Sequence, residues 1–300
     1  MATCRICNNE QFTVLLAGFK TDSGDVYSLK ECMSCSFVTI EPLPSSDKLK
    51  ACYDKDYWQE DLSKPKSATN LFYRFRMRSV VQKIKGHVPS GGKILDWGAG
   101  DGKLMTLLGE AGYDCRGIDV YKEESDDKRL ANATIESTDF DNESFDAITC
   151  FHVLEHLRDP VNSVKRAFEL LRKGGVLIIE VPNIDSLGFQ IFKKRWQPLE
   201  IPTHLNHFSL KSLRMMFSSL EGVRIIDESF FSHRVSPSSI VLSLFPGLTP
   251  KKIRRHHGGK CPIHLLGLYL MLQLITYPLA IIESAIKKGA VVRIFAKKTK

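Results

Sequence analysis

Ile94-Leu-Asp-Trp-Gly-Ala-Gly-Asp-Gly102 is the stretch on which the fold turns. An apolar run enters three glycines at alternate positions and an amphipathic segment, Lys103 to Ala111, follows, so the order is strand, tight turn, helix. Gly98, Gly100 and Gly102 remove the Cβ atoms that would hold a bulky ligand off the backbone, and the helix start offers unpaired N–H groups. The turn is expected to bind a cofactor. Dinucleotide sites and purely structural turns share this feature, so the residues downstream decide its meaning.

Asp114 to Asp119 reads as a second strand. Asp119 lies about twenty residues past the glycines, where an acid at a strand end accepts hydrogen bonds from both hydroxyls of a ribose. A short third strand is expected near Thr134 to Glu136, before Asp139-Phe140, an acid and an aromatic suited to an adenine; a surface turn fits the same spacing. Phe145 to Cys150 is a fourth strand, leading into Phe151-His-Val-Leu-Glu-His156. Asp159 and Pro160 supply an N-cap and a first-turn proline for a helix whose buried stripe is Val161, Val164, Phe168 and Leu171, closed by Gly174-Gly175. Val176 to Val181 has the continuous apolar character of a fifth strand covered on both faces. This alternation specifies an α/β fold with a mostly parallel, doubly wound sheet that holds its ligand at the strands' C-terminal edge.

With 43% hydrophobic and 25% charged residues the chain is globular, and its formal net charge of +8 admits nucleic acid, acidic small molecules or an anionic membrane as partners. Met1 to Glu10 has neither the apolar core nor the cleavage site of a signal peptide, so a cytoplasmic location and reduced cysteines are expected. Cys4 and Cys7 form one Cys-x-x-Cys pair, Cys32 and Cys35 another. Thiolates at this spacing converge tetrahedrally on one metal ion, and four sulfurs suit zinc, which would supply the folding energy so small a module lacks. No chemistry is assigned to it. Residues 41–66, including Tyr53-Asp-Lys-Asp-Tyr-Trp58, read as a linker with short helices. Asn70 to Lys85 places Leu71, Phe75, Val80, Val81 and Ile84 at near-helical spacing, with Arg74, Arg76 and Arg78 on a solvated face.

Asp96-x-Gly98-x-Gly100-x-Gly102, Asp119, Asp139-Phe140 and His152-Val-Leu-Glu-His156 together resemble class I S-adenosylmethionine-dependent methyltransferases, over residues 70–230 and again at Val291 to Lys297. The cysteine module and its Tyr-rich linker resemble the zinc-bearing N-terminal extension of a bacterial subgroup that often modifies sugars or cell-surface glycans. Members of that subgroup with a further C-terminal domain are longer than this chain. The resemblance implies a Rossmann-like seven-stranded sheet, its sixth strand at Gly222 to Phe230 pairing with an antiparallel last strand at Val291 to Lys297. It also implies S-adenosylmethionine at the glycine turn. Asp96 and the backbone near Gly98 and Gly100 would face its amino-acid end, Asp119 its ribose, Asp139 and Phe140 its adenine, and His152 its methionine portion. Dinucleotide binding fits less well: the glycine spacing is not Gly-x-Gly-x-x-Gly, and that fold has no place for the His-Val-Leu-Glu-His run.

Methyl transfer from a sulfonium is an in-line displacement, so the protein aligns the acceptor and excludes water; a hydroxyl or amine acceptor also calls for a base. His204 and His207, in Pro202-Thr-His-Leu-Asn-His-Phe208, follow the fifth strand and should hang over the active edge, with His156 nearer the cofactor. His207 is the preferred base, because Phe208 and Ser209 lead directly into the next helix and would fix it.

Between the sixth and last strands lie the basic run Lys251-Lys-Ile-Arg-Arg-His-His257 and a charge-free run, Cys261 to Ile282. The second is long enough to span a bilayer, but a single crossing would strand the last strand on the far side. An interfacial helix or helical hairpin, broken at Pro278 and flanked by the basic patch, answers both constraints; a helix buried on the catalytic domain or at a dimer interface is the alternative. Phe231 to Thr249 would cover the substrate beneath it.

The expected organisation is a zinc-binding module (1–45), linker and N-terminal helices (46–90), a cofactor-binding core (91–230), a basic and apolar insertion (231–288) and the last strand (289–300). The expected activity is methylation of a sugar, glycan or lipid-linked saccharide intermediate, in the cytoplasm and peripherally at the inner face of the cytoplasmic membrane. The alternatives are an RNA methyltransferase, a small-molecule O- or N-methyltransferase, and a non-catalytic scaffold. No DNA partner is expected.

Overall fold

A computed structural model describes residues 3–21, 23–52, 66–120, 127–257 and 261–300. The chain opens with β1 (Phe12–Lys20), β2 (Val26–Cys32), β3 (Val38–Glu41) and α1 (Ser46–Cys52). Helix α2 (Lys66–His87) leads into β4 (Lys93–Trp97), α3 (Lys103–Glu110), β5 (Asp114–Ile118), β6 (Leu130–Ala131), β7 (Phe145–Phe151), α4 (Pro160–Leu170) and β8 (Leu171–Pro182). Then come α5 (Leu187–Phe192), β9 (Asn206–His207), α6 (Leu210–Ser218) and β10 (Val223–Ser229). Helices α7 (Ser236–Leu244), α8 (Pro250–His256) and α9 (Ile263–Ala285) precede the last strand, β11 (Val291–Lys298).

The Rossmann-like sheet is present, with seven strands in the order β10-β11-β8-β7-β4-β5-β6. Strands β4 to β8 run parallel and β11 runs antiparallel to both its neighbours. Ile178, Ile179 and Val181 on β8 are fully buried, as a strand covered on both faces requires. Helix α4 starts where its cap dictates: the Asp159 carboxylate accepts the Asn162 N–H and Pro160 occupies the first turn. Its buried face is Val164, Ala167 and Phe168.

Three expectations are corrected. The third strand lies at Leu130–Ala131, where Ala131 pairs with Ile118; Thr134 to Ser137 instead close on themselves through the Thr134 and Ser137 hydroxyls. Helix α4 stops at Leu170, before Gly174-Gly175, because Leu171 already pairs with Phe145 and the glycines lie at an irregularity within β8. In α2, Val80 and Ile84 are buried but Phe75 is 64% exposed, and Arg76 reaches Gln273 of α9 rather than solvent. The Tyr53 to Trp58 stretch lies outside the described residues.

The cysteine module does not stand apart. Its strands form a second sheet, β1-β2-β3-β9, whose last member comes from the segment after β8, with Val38 opposite His207. Cys4, Ile6 and Phe37 share one hydrophobic core with Leu95, Ile179 and Phe208, and the Phe37 and Phe208 rings sit 5.4 Å apart. Burying its apolar side chains in the main core is how so short a segment gains an interior.

Both ends of the insertion lie at the ligand edge, since Val291 stands opposite Pro182 and Ser229 opposite Arg293. Helix α9 is one continuous helix through Pro278, not a hairpin. It is long and apolar enough to cross a membrane, yet the register of β10 with β11 holds both its flanks on one side. Its orientation is inverted. Gln273, Thr276, Ala280 and Glu283 face inward, where Thr276 Oγ1 donates to the Pro237 carbonyl at 3.3 Å, while Met271, Leu274, Ile275, Leu279 and Ile282 are exposed.

Candidate active site

The glycine turn joins β4 to α3 at the ligand edge. All three glycines have positive φ (79°, 53° and 75°), a region that other residues adopt only under strain. Their reasons differ. A Cβ on Gly98 would stand 2.1 Å from Val153 Cγ2, so that glycine admits a neighbouring side chain. A Cβ on Gly100 would meet nothing within 4 Å, which leaves an open surface over the turn. The Gly98 and Ala99 N–H groups donate to the Ile118 carbonyl, and Asp119 Oδ2 accepts the Gly100 N–H at 2.9 Å, so the acid after β5 and the turn are one unit. Asp96 is buried and accepts the Thr149 hydroxyl at 2.7 Å; burial raises its pKa to about 6, against that hydrogen bond.

The adenine pair is not assembled as expected. Phe140 packs edge-on against Phe145, centroids 5.2 Å apart, at the opening end of β7 and away from the ligand edge. Asp139 is exposed beside it. The residues that leave β6 at the ligand edge are Asn132 and Ala133, next to Asp119, whose N–H donates to the Ala131 carbonyl. The expected strand at Thr134 to Glu136 begins four residues later, so it does not single them out.

His152 follows β7 with φ 58°, a left-handed conformation uncommon among non-glycine residues, though less so for histidine, and a recurrent mark of functional sites. Its Nδ1 lies 3.1 Å from Glu155 Oε1 and its Nε2 3.2 Å from Glu180 Oε1, and Glu180 is paired with Arg293 of β11. Burial opposes charge on the ring, but the two carboxylates outweigh it and lift His152 to about 9. For Glu180 burial is outweighed by Arg293 and then His152, and its pKa falls to about 2; Glu155 is lowered against burial by His152. The result is an alternating row of charges, Arg293, Glu180, His152, Glu155, in which His152 alone is partly exposed.

One helical turn on, the histidines are neutral. His156 and His204 meet edge to face, centroids 4.7 Å apart, and His207 stands 6.3 Å behind His204. Burial lowers all three, His156 to about 4 with help from His204, and His207 to about 3. His207 is 1% exposed and neither ring nitrogen has a hydrogen-bond partner among the described residues. Strand β9 seals it against β3, so it does not hang over the open edge as expected. The two segments are clamped together: Leu205 N–H donates to the Glu155 carbonyl, and Asn206 Nδ2 donates to the Leu154 and Leu157 carbonyls. Sequence reading missed Asn206, Glu180 and Arg293. Only the isolated charges inside the apolar runs of β8 and β11 signalled the last two.

At the module, Cys4 Sγ is 3.6 Å from Cys35 Sγ and Cys7 Sγ is 3.6 Å from Cys32 Sγ. A tetrahedral zinc ion with bonds near 2.3 Å sets its sulfurs about 3.8 Å apart, so the cluster is compatible with a zinc ribbon. Each Cys-x-x-Cys turn ends in a left-handed residue, Asn8 or Ser36, whose N–H returns to the first cysteine's carbonyl. Cys4 is lowered to about 5 by the Cys35 thiol, which is itself pushed up by the same contact.

An open cleft of about 290 Å³ includes Glu200, whose carboxylate lies 3.7 Å from His204 Nε2. Phe19, Lys20, Lys194, Trp196 and Glu200 line it.

Residues 70–220 match the family profile of the methyltransferase domain. The chain belongs to this methyltransferase family. It is similar to the ubiquinone biosynthesis O-methyltransferase of Alkalilimnicola ehrlichii, with 33% identity over 174 residues, 49% of this chain and 69% of that protein. The counterpart from Actinobacillus pleuropneumoniae serotype 7 is 32% identical over 130 residues, 38% of this chain and 55% of the relative, so the match spans little more than half of that protein. Among solved structures, a SAM-dependent methyltransferase from Archaeoglobus fulgidus aligns with TM-score 0.49 at 17% identity, over 76% of this chain and 94% of that one. The 1,6-didemethyltoxoflavin-N1-methyltransferase of Burkholderia thailandensis, solved with S-adenosylhomocysteine, aligns with TM-score 0.49 at 13% identity over 95% and 100%. This methyltransferase is S-adenosylmethionine-dependent, and the open face of Gly100 beside the buried Asp119 carboxylate fits that cofactor.

Proposed function

We propose that this methyltransferase methylates a hydroxyl of a small acceptor presented at an anionic lipid surface, a lipid-linked saccharide intermediate being the form its cysteine module suggests. The observation that carries the lipid part is the inverted face of α9, where apolar side chains cover the solvent side and polar ones the inside. Contiguous exposed apolar surface of this kind marks a lipid or protein contact, and the basic residues of the preceding α8 and of Lys287-Lys288 suit anionic headgroups. The O-methyltransferase relatives support a hydroxyl as the acceptor atom.

Asp119 takes the ribose, Asp96 and the backbone of Gly98, Gly100 and Gly102 the amino-acid end, and His152 the methionine portion. Asn132 and Ala133, which leave β6 beside Asp119, take the adenine. When bound, S-adenosylmethionine supplies a methyl group on a sulfonium sulfur. The chain's own part is to orient the acceptor and receive its proton. Neutral imidazoles can do so, and His156 and His204 are placed for it, with His207 packed behind them. Cys4, Cys7, Cys32 and Cys35 hold a structural zinc ion that fixes β3, and through it β9, beneath this cluster.

Labelled S-adenosylmethionine, incubated with the enzyme and fractionated extracts of its native cells, tests the reading. Label is expected in the lipid fraction; label confined to RNA or to water-soluble products overturns it.

A further inference from the structure

Three cationic side chains reach the open cleft from two distant segments. Lys20 ends β1, and Lys194 and Arg195 follow α5. Among the described residues none of the three is paired with a carboxylate: Lys194 Nζ lies over the Phe19 ring, 5.5 Å from its centroid, and Arg195 donates to the Leu244 carbonyl at 3.2 Å. The turn that delivers the second and third is strained. Lys193 has φ 50° and ψ −120°, a conformation that a non-glycine residue holds only where its surroundings impose it. Its own Nζ lies over the buried Phe189 ring, while the next two side chains line the cleft. Glu200, the carboxylate on the lining, is engaged by other groups: Oε1 accepts from Gln197 Nε2 at 2.7 Å, and Oε2 is 3.7 Å from His204 Nε2. Unpaired cations gathered around a concave site of about 290 Å³ favour a ligand group carrying more than one negative charge, and two ammonium groups with a guanidinium suit phosphate.

We infer that this cleft binds the phosphate or diphosphate ester of the acceptor, an assignment that rests on the acceptor position proposed above beside His204. The cleft joins that position to the insertion. Gln197 N–H donates to the Ser243 hydroxyl at 3.0 Å, which ties the lining to α7, and α7 packs in turn against α9, whose outer face is apolar. A lipid tail at α9, an anion in the cleft and a hydroxyl at His204 then belong to one molecule. Because Phe19 and Lys20 come from β1, the cysteine module takes part in acceptor binding as well as in folding.

Calorimetric titration of the full-length protein with inorganic pyrophosphate, with S-adenosylhomocysteine present to fill the glycine turn, tests the assignment. Wild type is expected to bind one equivalent. Lys20→Ala with Lys194→Ala should weaken binding tenfold or more. Lys165→Ala with Lys173→Ala, which removes the same charge from exposed positions on α4 and at the opening of β8, should change it less than twofold. Unchanged affinity for S-adenosylhomocysteine reports that both doubles keep the fold. No pyrophosphate binding by the wild type, or equal weakening in both doubles, overturns the site. In the extract assay at limiting acceptor, the cleft double should lower methyl transfer tenfold or more, in the lipid fraction where the phosphate joins a saccharide to a lipid and in the water-soluble fraction where it belongs to a soluble ester. Pyrophosphate binding that the cleft double loses, with no label in any lipid, would break the lipid reading alone. Full transfer to lipid by the cleft double would break this inference alone.

Discussion

The cysteine module and the apolar insertion both meet the ligand edge of the sheet, and they are held by opposite means. The module puts Cys4, Ile6 and Phe37 into the same core as Leu95 and Ile179 and lends β3 to a strand drawn from the catalytic segment. The insertion turns a narrow stripe of small and polar residues inward, Gln273, Thr276, Ala280 and Glu283, and leaves its large apolar side chains outside. A segment that buries its apolar surface contributes to folding. One that exposes it contributes little to folding and is available for contact.

Disrupting the module's four-cysteine cluster should have the largest effect. Cys35→Ser is expected to destabilise the whole chain by at least about 4 kcal/mol, the range associated with loss of a structural metal, in a single thermal transition that includes the catalytic sheet. Separate melting of module and sheet would break the comparison. On the insertion's return strand, Glu180→Gln removes the partner of the buried Arg293 and is expected to cost about 3 kcal/mol in urea unfolding. An unchanged midpoint would show that the pair does not anchor β11.

Glu283, on the inward face of α9, sharpens the comparison through pH. The residue is 7% exposed, and burial raises its pKa from 4.5 to about 7. A carboxyl raised on folding holds its proton better in the native state, so its contribution is present below pH 4.5 and is lost as pH rises through 7. Glu283→Gln should therefore gain about 3 kcal/mol at pH 8 and nothing at pH 4. A pH-independent difference would contradict the assignment. The smallest effect on stability is expected on the outer face, where Leu274→Ser with Ile275→Ser should change unfolding by less than about 0.5 kcal/mol. The same pair should lower flotation with anionic vesicles tenfold or more. Equal flotation of variant and parent would remove the lipid contact.

Much of the fold was legible because periodicity and turn chemistry are local. The glycine turn, Asp119 and the cap at Asp159 announce themselves within a few residues, and the buried character of Val176 to Val181 needs no partner to be recognised. Leu130–Ala131 was not legible as a strand, since two residues carry no period and only pairing with Gly117 and Ile118 defines them. With the strand placed late, Asn132 and Ala133 at its end were not considered beside Asp139 and Phe140. The continuity of α9 through Pro278 was likewise hidden, because a proline's effect on a helix depends on what its neighbours supply.

The sequence by itself determined the sheet, the glycine turn and the two cysteine pairs, because each rests on spacing along the chain. Tertiary structure alone decided the charges of the histidines. His152 and His156 are four residues apart in one motif, yet carboxylates from β8 and the following turn lift the first to about 9, while burial beside His204 lowers the second to about 4. A side chain's charge is set by what surrounds it in space, and those neighbours come from segments that no local pattern joins.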